Sequence, residues 1–281
     1  MPIRLSAHSQ EPTPTFADHL TVTDRPLFGI WSCSGSALVA EICAGSGLDI
    51  VLIDGEHSPV SLESILAQLQ AVAAYPVVPI VRAPIGDPVI VKQLLDLGAQ
   101  NILVPMVDSA ARAEEMVRAV RYPPLGMRGV GSALARSSRW SRIDDYVGRA
   151  ADLVSLTVQI ETVEGLADAA AIASVDGVDA MLVGPADLAA SMGLLGQQSH
   201  PDVVAAVEEV IRIGIAAGTP VGVNAFDPAM ADRYVEAGAA FVLVGADVTL
   251  LARSSEALAD RFIADAGVTA DADDDTGSDA E

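Results

Sequence analysis

A chain of 281 residues with 51% hydrophobic content can bury a sizeable core, and it fits one large α/β barrel as readily as two small domains. A formal net charge of −22 and a pI near 4.3 repel phosphate backbones, which excludes nucleic-acid binding where no basic patch is found. No apolar run approaches the ~20 residues that span a bilayer, and Met1 to Thr23 mixes charged, Pro and Ser residues without a signal-peptide core, so no membrane partner is expected and the expected compartment is the cytosol.

Taken in order, residues 1–25 read as a flexible N-terminal segment and residues 26–263 as one folded unit. Apolar strand-like runs fall at Leu27 to Ser32, Ile50 to Asp54, Val77 to Arg82, Asn101 to Val107, Thr157 to Glu161, Ala180 to Val183, Pro220 to Asn224 and Phe241 to Gly245. Between them lie helical stripes, such as Leu62, Ile65, Leu66, Leu69 and Val72, or Val203, Val204, Val207, Val210 and Ile211. Gly47, Gly98 and Gly238 sit just past such stripes, where helices often end. Eight strand-helix units without a dinucleotide fingerprint predict a (β/α)8 TIM-type barrel rather than a doubly wound sheet. Cys33 and Cys43 make no CxxC pattern and are expected to be reduced and buried.

One interval breaks the rhythm. From Arg121 to Arg142 the chain is Gly-rich and longer than an ordinary connection, as a lid or a subunit contact would be. Past the eighth strand, Leu250, Leu251, Leu258 and Phe262 predict a final amphipathic helix that closes the barrel or packs on a neighbouring subunit. Residues 264–281 are acidic and too polar to pack, and are expected to be disordered.

Barrel enzymes carry their chemistry at the carboxyl ends of the strands. Strand two ends Asp54-Gly55-Glu56-His57, strand three ends on Arg82, strand five runs Gln159-Ile160-Glu161, and strand six leads into Gly184-Pro185-Ala186-Asp187. Glu161 and Asp187 on consecutive strand ends suit a hard divalent cation; the bland alternative is a helix cap for Asp187 and a surface acid for Glu161. His57 could be a lone structural histidine, although Asp54 and Glu56 beside it favour function. An arginine leaving a buried strand needs an anionic partner, and for Arg82 a substrate oxyanion is a natural one. Trp31 and Asn224, at the ends of strands one and seven, complete the candidates for the mouth.

Leu52-Ile53-Asp54-Gly55-Glu56-His57, Arg121-Tyr122-Pro123-Pro124 through Arg128-Gly129-Val130-Gly131, Val158-Gln159-Ile160-Glu161-Thr162 and Gly184-Pro185-Ala186-Asp187-Leu188 resemble the class II pyruvate aldolases. More narrowly they resemble the 4-hydroxy-2-oxoheptane-1,7-dioate aldolase group of the HpcH/HpaI family, from about Phe28 to Phe262. Each motif is short, but their order and combination are specific.

The resemblance implies metal-dependent retro-aldol cleavage of a 4-hydroxy-2-oxo acid to pyruvate and an aldehyde, and the reverse. By it, Glu161 and Asp187 hold a divalent metal (Mg²⁺, Mn²⁺ or Co²⁺), Arg82 steadies the enolate oxygen, and His57 takes the hydroxyl proton. Asp54 joins the catalytic group, Gln159 lies by the 2-oxo acid, and Gly184, Pro185 and Ala186 form the loop whose amides receive its carboxylate. Asp96 is implied as the acid that orients His57. Since it lies near the end of a helix running away from the mouth, that pairing calls for an adjacent subunit, within a hexameric or trimer-based homo-oligomer. Relatives usually place a leucine-like residue at the Asn224 position, so the amide is expected to favour hydroxylated or carboxylated aldehydes.

The chemistry asks for the same groups. Breaking the bond leaves an enolate, which needs an electron sink, a fixed cation and a base for the hydroxyl. The other known sink, a lysine Schiff base, is poorly served: Lys92 is the sole lysine and falls in a helical pattern away from any strand end. Two other readings are open, an acyl-CoA lyase on a related barrel and a non-catalytic barrel that binds a 2-oxo acid.

Overall fold

The structure, a computed structural model, describes residues 13–264. Eight strands, β1 (Leu27–Ser32), β2 (Ile50–Asp54), β3 (Val78–Arg82), β4 (Asn101–Val104), β5 (Ser155–Ile160), β6 (Ala180–Val183), β7 (Val221–Asn224) and β8 (Phe241–Ala246), close into one barrel in sequence order. Every pairing is parallel, including β8 back to β1. The predicted TIM-type barrel is therefore the observed fold.

The strands read as continuous apolar runs because both of their faces are buried. Along β2, Ile50 and Leu52 pack inside the barrel with Leu27, Ile80, Leu103, Leu182 and Leu243. Val51 and Ile53 face outward, against the helices. Those helices are α2 (Ala37–Ala44), α3 (Leu62–Val72), α4 (Pro88–Asp96), α5 (Ala110–Val120), α7 (Val163–Ala173), α8 (Pro185–Ser191), α9 (Pro201–Ala217) and α10 (Pro228–Glu236), preceded by α1 (Phe16–Val22) and supplemented by a short α6 (Tyr146–Arg149). Their starts are built from local chemistry. Asp87 accepts from the amides of Val89 and Ile90 ahead of Pro88, and Ser36, Ser61, Ser109, Thr162 and Asp227 cap in the same manner.

Four expectations change. Cys43 is buried, but Cys33 is only half-buried, and both are free thiols. Residues 16–22 of the segment read as flexible form α1, with a capping box at Thr15. Phe16 is fully buried at the foot of the barrel, edge-on to Phe241 with ring centroids 5.0 Å apart, and its amide donates to Asn101 Oδ1 at 2.7 Å. A single large apolar side chain, invisible to periodicity in so short a helix, supplies the reason. The fourth strand ends at Val104 rather than Val107, and the fifth begins at Ser155 and stops at Ile160. The final helix, α11 (Asp247–Ala259), does not close the barrel: Leu250, Leu251, Leu258 and, beyond it, Phe262 are all exposed. The acidic tail after residue 264 lies outside the described residues.

Candidate active site

The turn after β2 builds one half of the site. Gly55 donates to the Arg82 carbonyl at 3.0 Å, and a Cβ there would meet that oxygen at 2.4 Å, so only glycine lets the chain fold this tightly over the end of β3. Asp54 organises the turn. It accepts Arg82 Nε–H at 2.8 Å, the amides of Glu56 and His57 at 3.0 and 3.3 Å, and the Ser58 hydroxyl at 3.1 Å. Burial pulls its pKa upward, but the Arg82 hydrogen bond and charge, with the other donors, outweigh it and hold the carboxyl below its ordinary range.

Arg82 is buried and pinned on three sides. Besides Asp54, its Nη1 lies 2.9 Å from Glu56 Oε2, and its guanidinium carbon sits 4.3 Å from the centroid of the Trp31 ring. The anionic partners expected from a substrate are thus already supplied by two side chains of the protein. His57 is largely exposed at the rim, with Nε2 3.7 Å from Glu56 Oε2. In the sequence Glu56 is only a neighbour of His57 within the Asp54-Gly55-Glu56-His57 motif. Only the fold of the turn shows it placed between Arg82 and His57.

The other half comes from β5 and β6. Glu161, immediately past β5, is buried, with Oε1 accepting the Met106 amide at 2.7 Å and Oε2 accepting from Gln159 Nε2. Burial is the main cause that pushes its pKa up to about 7, with Glu56 and Asp187 adding negative field and Met106 and Arg82 opposing. Asp187 lies in the first turn of α8, whose cap is Gly184, so Asp187 is not a cap, and the burial of Glu161 means that it is not a surface acid. The Gly184 amide is committed to the Ile160 carbonyl at 3.2 Å and Pro185 has none, which leaves the first-turn amides of Ala186 and Asp187 as the loop's free donors. Gln159 Oε1 is buried without a hydrogen-bond partner among the described residues.

A buried carboxylate with no cationic side chain in contact among the described residues, within the electrostatic reach of the Asp187 carboxylate and hydrogen-bonded to a glutamine whose carbonyl oxygen is unsatisfied, fits a hard divalent cation. No cluster of three His, Cys, Asp or Glu residues able to hold a metal exists among the described residues. Glu161 and Asp187 are the side chains that would hold such a cation, which would supply an electrophile at the mouth.

Across the mouth, Trp31 on β1 donates its indole N–H to Asn224 Oδ1 on β7 at 2.9 Å. Beside Asn224 opens a cavity of about 140 Å³, lined in part by Pro185, Ala186, Gln198, Ser199 and Phe226. Asp247, which follows β8 and carries no motif in the sequence, is buried and accepts the amides of Cys33 and Ser34 at 2.8 and 3.1 Å, which fixes the turn after β1. Asp96 stands apart from all of these. It ends α4 and pairs through Oδ1 with the buried Arg128 guanidinium at 3.1 Å, so in its own chain it does not orient His57.

Residues 27–254 match the model of the HpcH/HpaI aldolase/citrate lyase family. The chain belongs to that family. Its relatives include the 4-hydroxy-2-oxo-heptane-1,7-dioate aldolase of Salmonella dublin, 52% identical over 238 residues that make up 85% of this chain and 90% of the relative. A Salmonella arizonae protein of the same name is 53% identical over the same shares. Among solved structures, a HpcH/HpaI aldolase/citrate lyase family protein from Burkholderia cenocepacia superposes with a TM-score of 0.85 at 38% identity, covering 89% of this chain and 99% of that one. A HpcH/HpaI aldolase from Desulfitobacterium hafniense gives 0.78 at 30%, covering 88% and 97%. This member of the family is a carbon–carbon lyase of the aldolase type. No helix among the described residues is long and apolar enough to cross a membrane.

Proposed function

We propose that the protein catalyses reversible retro-aldol cleavage of a 4-hydroxy-2-oxo acid to pyruvate and an aldehyde, with a divalent metal held by Glu161 and Asp187. The observation that carries this reading is the buried Glu161 carboxylate, without a counter-ion among the described residues, in the field of Asp187 and hydrogen-bonded to Gln159, whose own oxygen is unsatisfied. When bound, the cation supplies an electrophile for the 2-oxo acid. The protein's own groups do the rest. The Ala186 and Asp187 amides receive the substrate carboxylate, Gln159 lies against the 2-oxo acid, and Arg82 places a fixed positive charge at the oxygen that becomes an enolate. His57 takes the C4 hydroxyl proton as the C3–C4 bond breaks, and its position at the rim suits a group that meets the departing aldehyde. Asp54 serves by holding Arg82 and the turn that carries His57. Pro185 fixes the start of α8. The free amide hydrogens of Asn224 favour an aldehyde bearing a hydroxyl or carboxylate.

We also propose a cytosolic homo-oligomer, hexameric or trimer-based, in which Asp96 meets His57 of a second copy. Support comes from Asp96 lining a groove with Leu62, Leu66, Leu134 and Trp140, and from the exposed apolar residues of α11. An active monomer on size exclusion would remove that arrangement.

The deciding experiment is pyruvate release from 4-hydroxy-2-oxo acids. Release that EDTA abolishes and Mn²⁺ or Mg²⁺ restores is expected; release indifferent to EDTA, or none with any metal, overturns the reading.

A further inference from the structure

Three residues from three strands touch in series across the barrel mouth. Asn224 on β7 accepts the indole N–H of Trp31 on β1 at 2.9 Å, and the face of that indole carries the Arg82 guanidinium of β3 at 4.3 Å. Trp31 is 6% exposed and Arg82 also 6%, so both contacts are made largely out of water, where a donor or a cation–π contact counts for more than at the surface. An indole has one polar hydrogen and no acceptor, which assigns the Asn224 atom facing it as the oxygen.

The remaining contacts of Arg82 leave one degree of freedom. Nε on Asp54 and Nη1 near Glu56 fix one edge of the guanidinium. The plane can still rock about that edge unless its face is supported. Trp31 is that support, and the hydrogen bond to Asn224 anchors the polar edge of its otherwise apolar-packed ring.

We infer that Asn224 is a positioning residue for Arg82, acting through the Trp31 indole, and so helps set the cation that meets the enolate oxygen even when no aldehyde is present. This rests on the reading that Arg82 faces pyruvate, and it differs from the acceptor role given to Asn224 above, which predicts an effect only when an aldehyde is bound. Asn224 also lines the cavity next to Pro185 and Ala186, so a ligand there touches a side chain already linked to Arg82.

The test is hydrogen–deuterium exchange at the methyl group of pyruvate, followed by NMR on the Mn²⁺- or Mg²⁺-supplemented full-length protein with no aldehyde added. Wild-type exchange that needs Arg82 is the control for the underlying reading, and its absence would defeat that reading first. Given the control, Asn224→Leu and Trp31→Phe should each slow kcat for exchange by about three- to tenfold, the range of one neutral hydrogen bond, with little change in the KM for pyruvate. The double variant should be no slower than the slower single one, because both remove the same contact. Asn224→Asp, which keeps an acceptor oxygen for the indole, should recover most of the rate. Wild-type exchange in Asn224→Leu would overturn the inference, as would losses that multiply in the double variant. Failed folding of Asn224→Leu leaves the comparison of Trp31→Phe with Asn224→Asp, where loss in the first and retention in the second is expected, and equal loss in both is the contrary result.

Discussion

Gly184 stands directly against Glu161: a Cβ at that position would lie 2.9 Å from Glu161 Oε2 and 3.0 Å from Gln159 Nε2. The backbone there has φ −97, which any residue adopts, so the glycine is required by space and not by conformation. Gly184→Ala should therefore fold normally while pushing the carboxylate aside. Mn²⁺ affinity, read by electron paramagnetic resonance or calorimetry, should fall by about tenfold or more, an amount worth roughly 1.4 kcal/mol, with the metal-free melting temperature little changed. Unaltered Mn²⁺ binding would show that Glu161 is not a ligand.

Glu161 also predicts how pH acts. Its folded pKa, raised to about 7 from an ordinary 4.5 mainly by burial, means the metal-free fold holds this proton longer than the unfolded chain does. Between those values the unfolded state binds fewer protons, so this group's contribution to stability falls as pH rises from about 4.5 to about 7 and then levels. Glu161→Gln, which removes the buried charge, should make the metal-free protein more stable at pH 8, by on the order of 1–3 kcal/mol, while abolishing metal-supported turnover. A ligand must be deprotonated, so wild-type Mn²⁺ affinity should climb through the same interval. Denaturant melts of both proteins at pH 5 and pH 8 check the first claim; a smaller stability gap at pH 8 than at pH 5 would contradict it.

Arg82 and His57 should separate by reaction. Arg82→Lys keeps a charge but loses the planar contacts to Asp54, Glu56 and Trp31. It is expected to slow both pyruvate exchange and aldol cleavage by about a hundredfold, as losses of a charge-stabilising donor do. His57→Ala should slow cleavage strongly and exchange much less, because only cleavage needs the hydroxyl proton removed. Equal loss of the two reactions in His57→Ala would take the base role from it.

Much of this architecture can be read from the residues because parallel strands covered on both sides are written as unbroken apolar runs, and β1, β2 and β6 begin and end where those runs do. Glu161, Asp187, Arg82 and His57 are legible as candidates because each lies at or shortly after the end of such a run. What the runs could not carry is how a loop folds back. That Glu56 reaches Arg82, that the Gly184 amide is already spent on Ile160, and that Asp96 is taken by Arg128 all depend on turns whose geometry no periodicity records. The foot of the barrel escaped for a different reason: one buried phenylalanine in a seven-residue helix makes no stripe.

That foot gives the last prediction. Phe16 is the largest apolar group that α1 contributes, and it fills the lower end of the barrel against Phe241, whose own ring leaves no room for a Cβ at Gly222, where the gap would be 2.2 Å. A ring sealed on every side cannot be removed without leaving a cavity, because β-strand neighbours such as Leu27 and Ile50 are held in register by the barrel and cannot collapse inward. Phe16→Ala should cost about 3–5 kcal/mol, seen as a lower urea midpoint with an unchanged slope. The residual folded enzyme should keep its kcat, since Phe16 lies at the end of the strands opposite to Arg82 and Glu161. A loss below about 1 kcal/mol would mean that the N-terminal segment behaves as the loose leader its composition suggests.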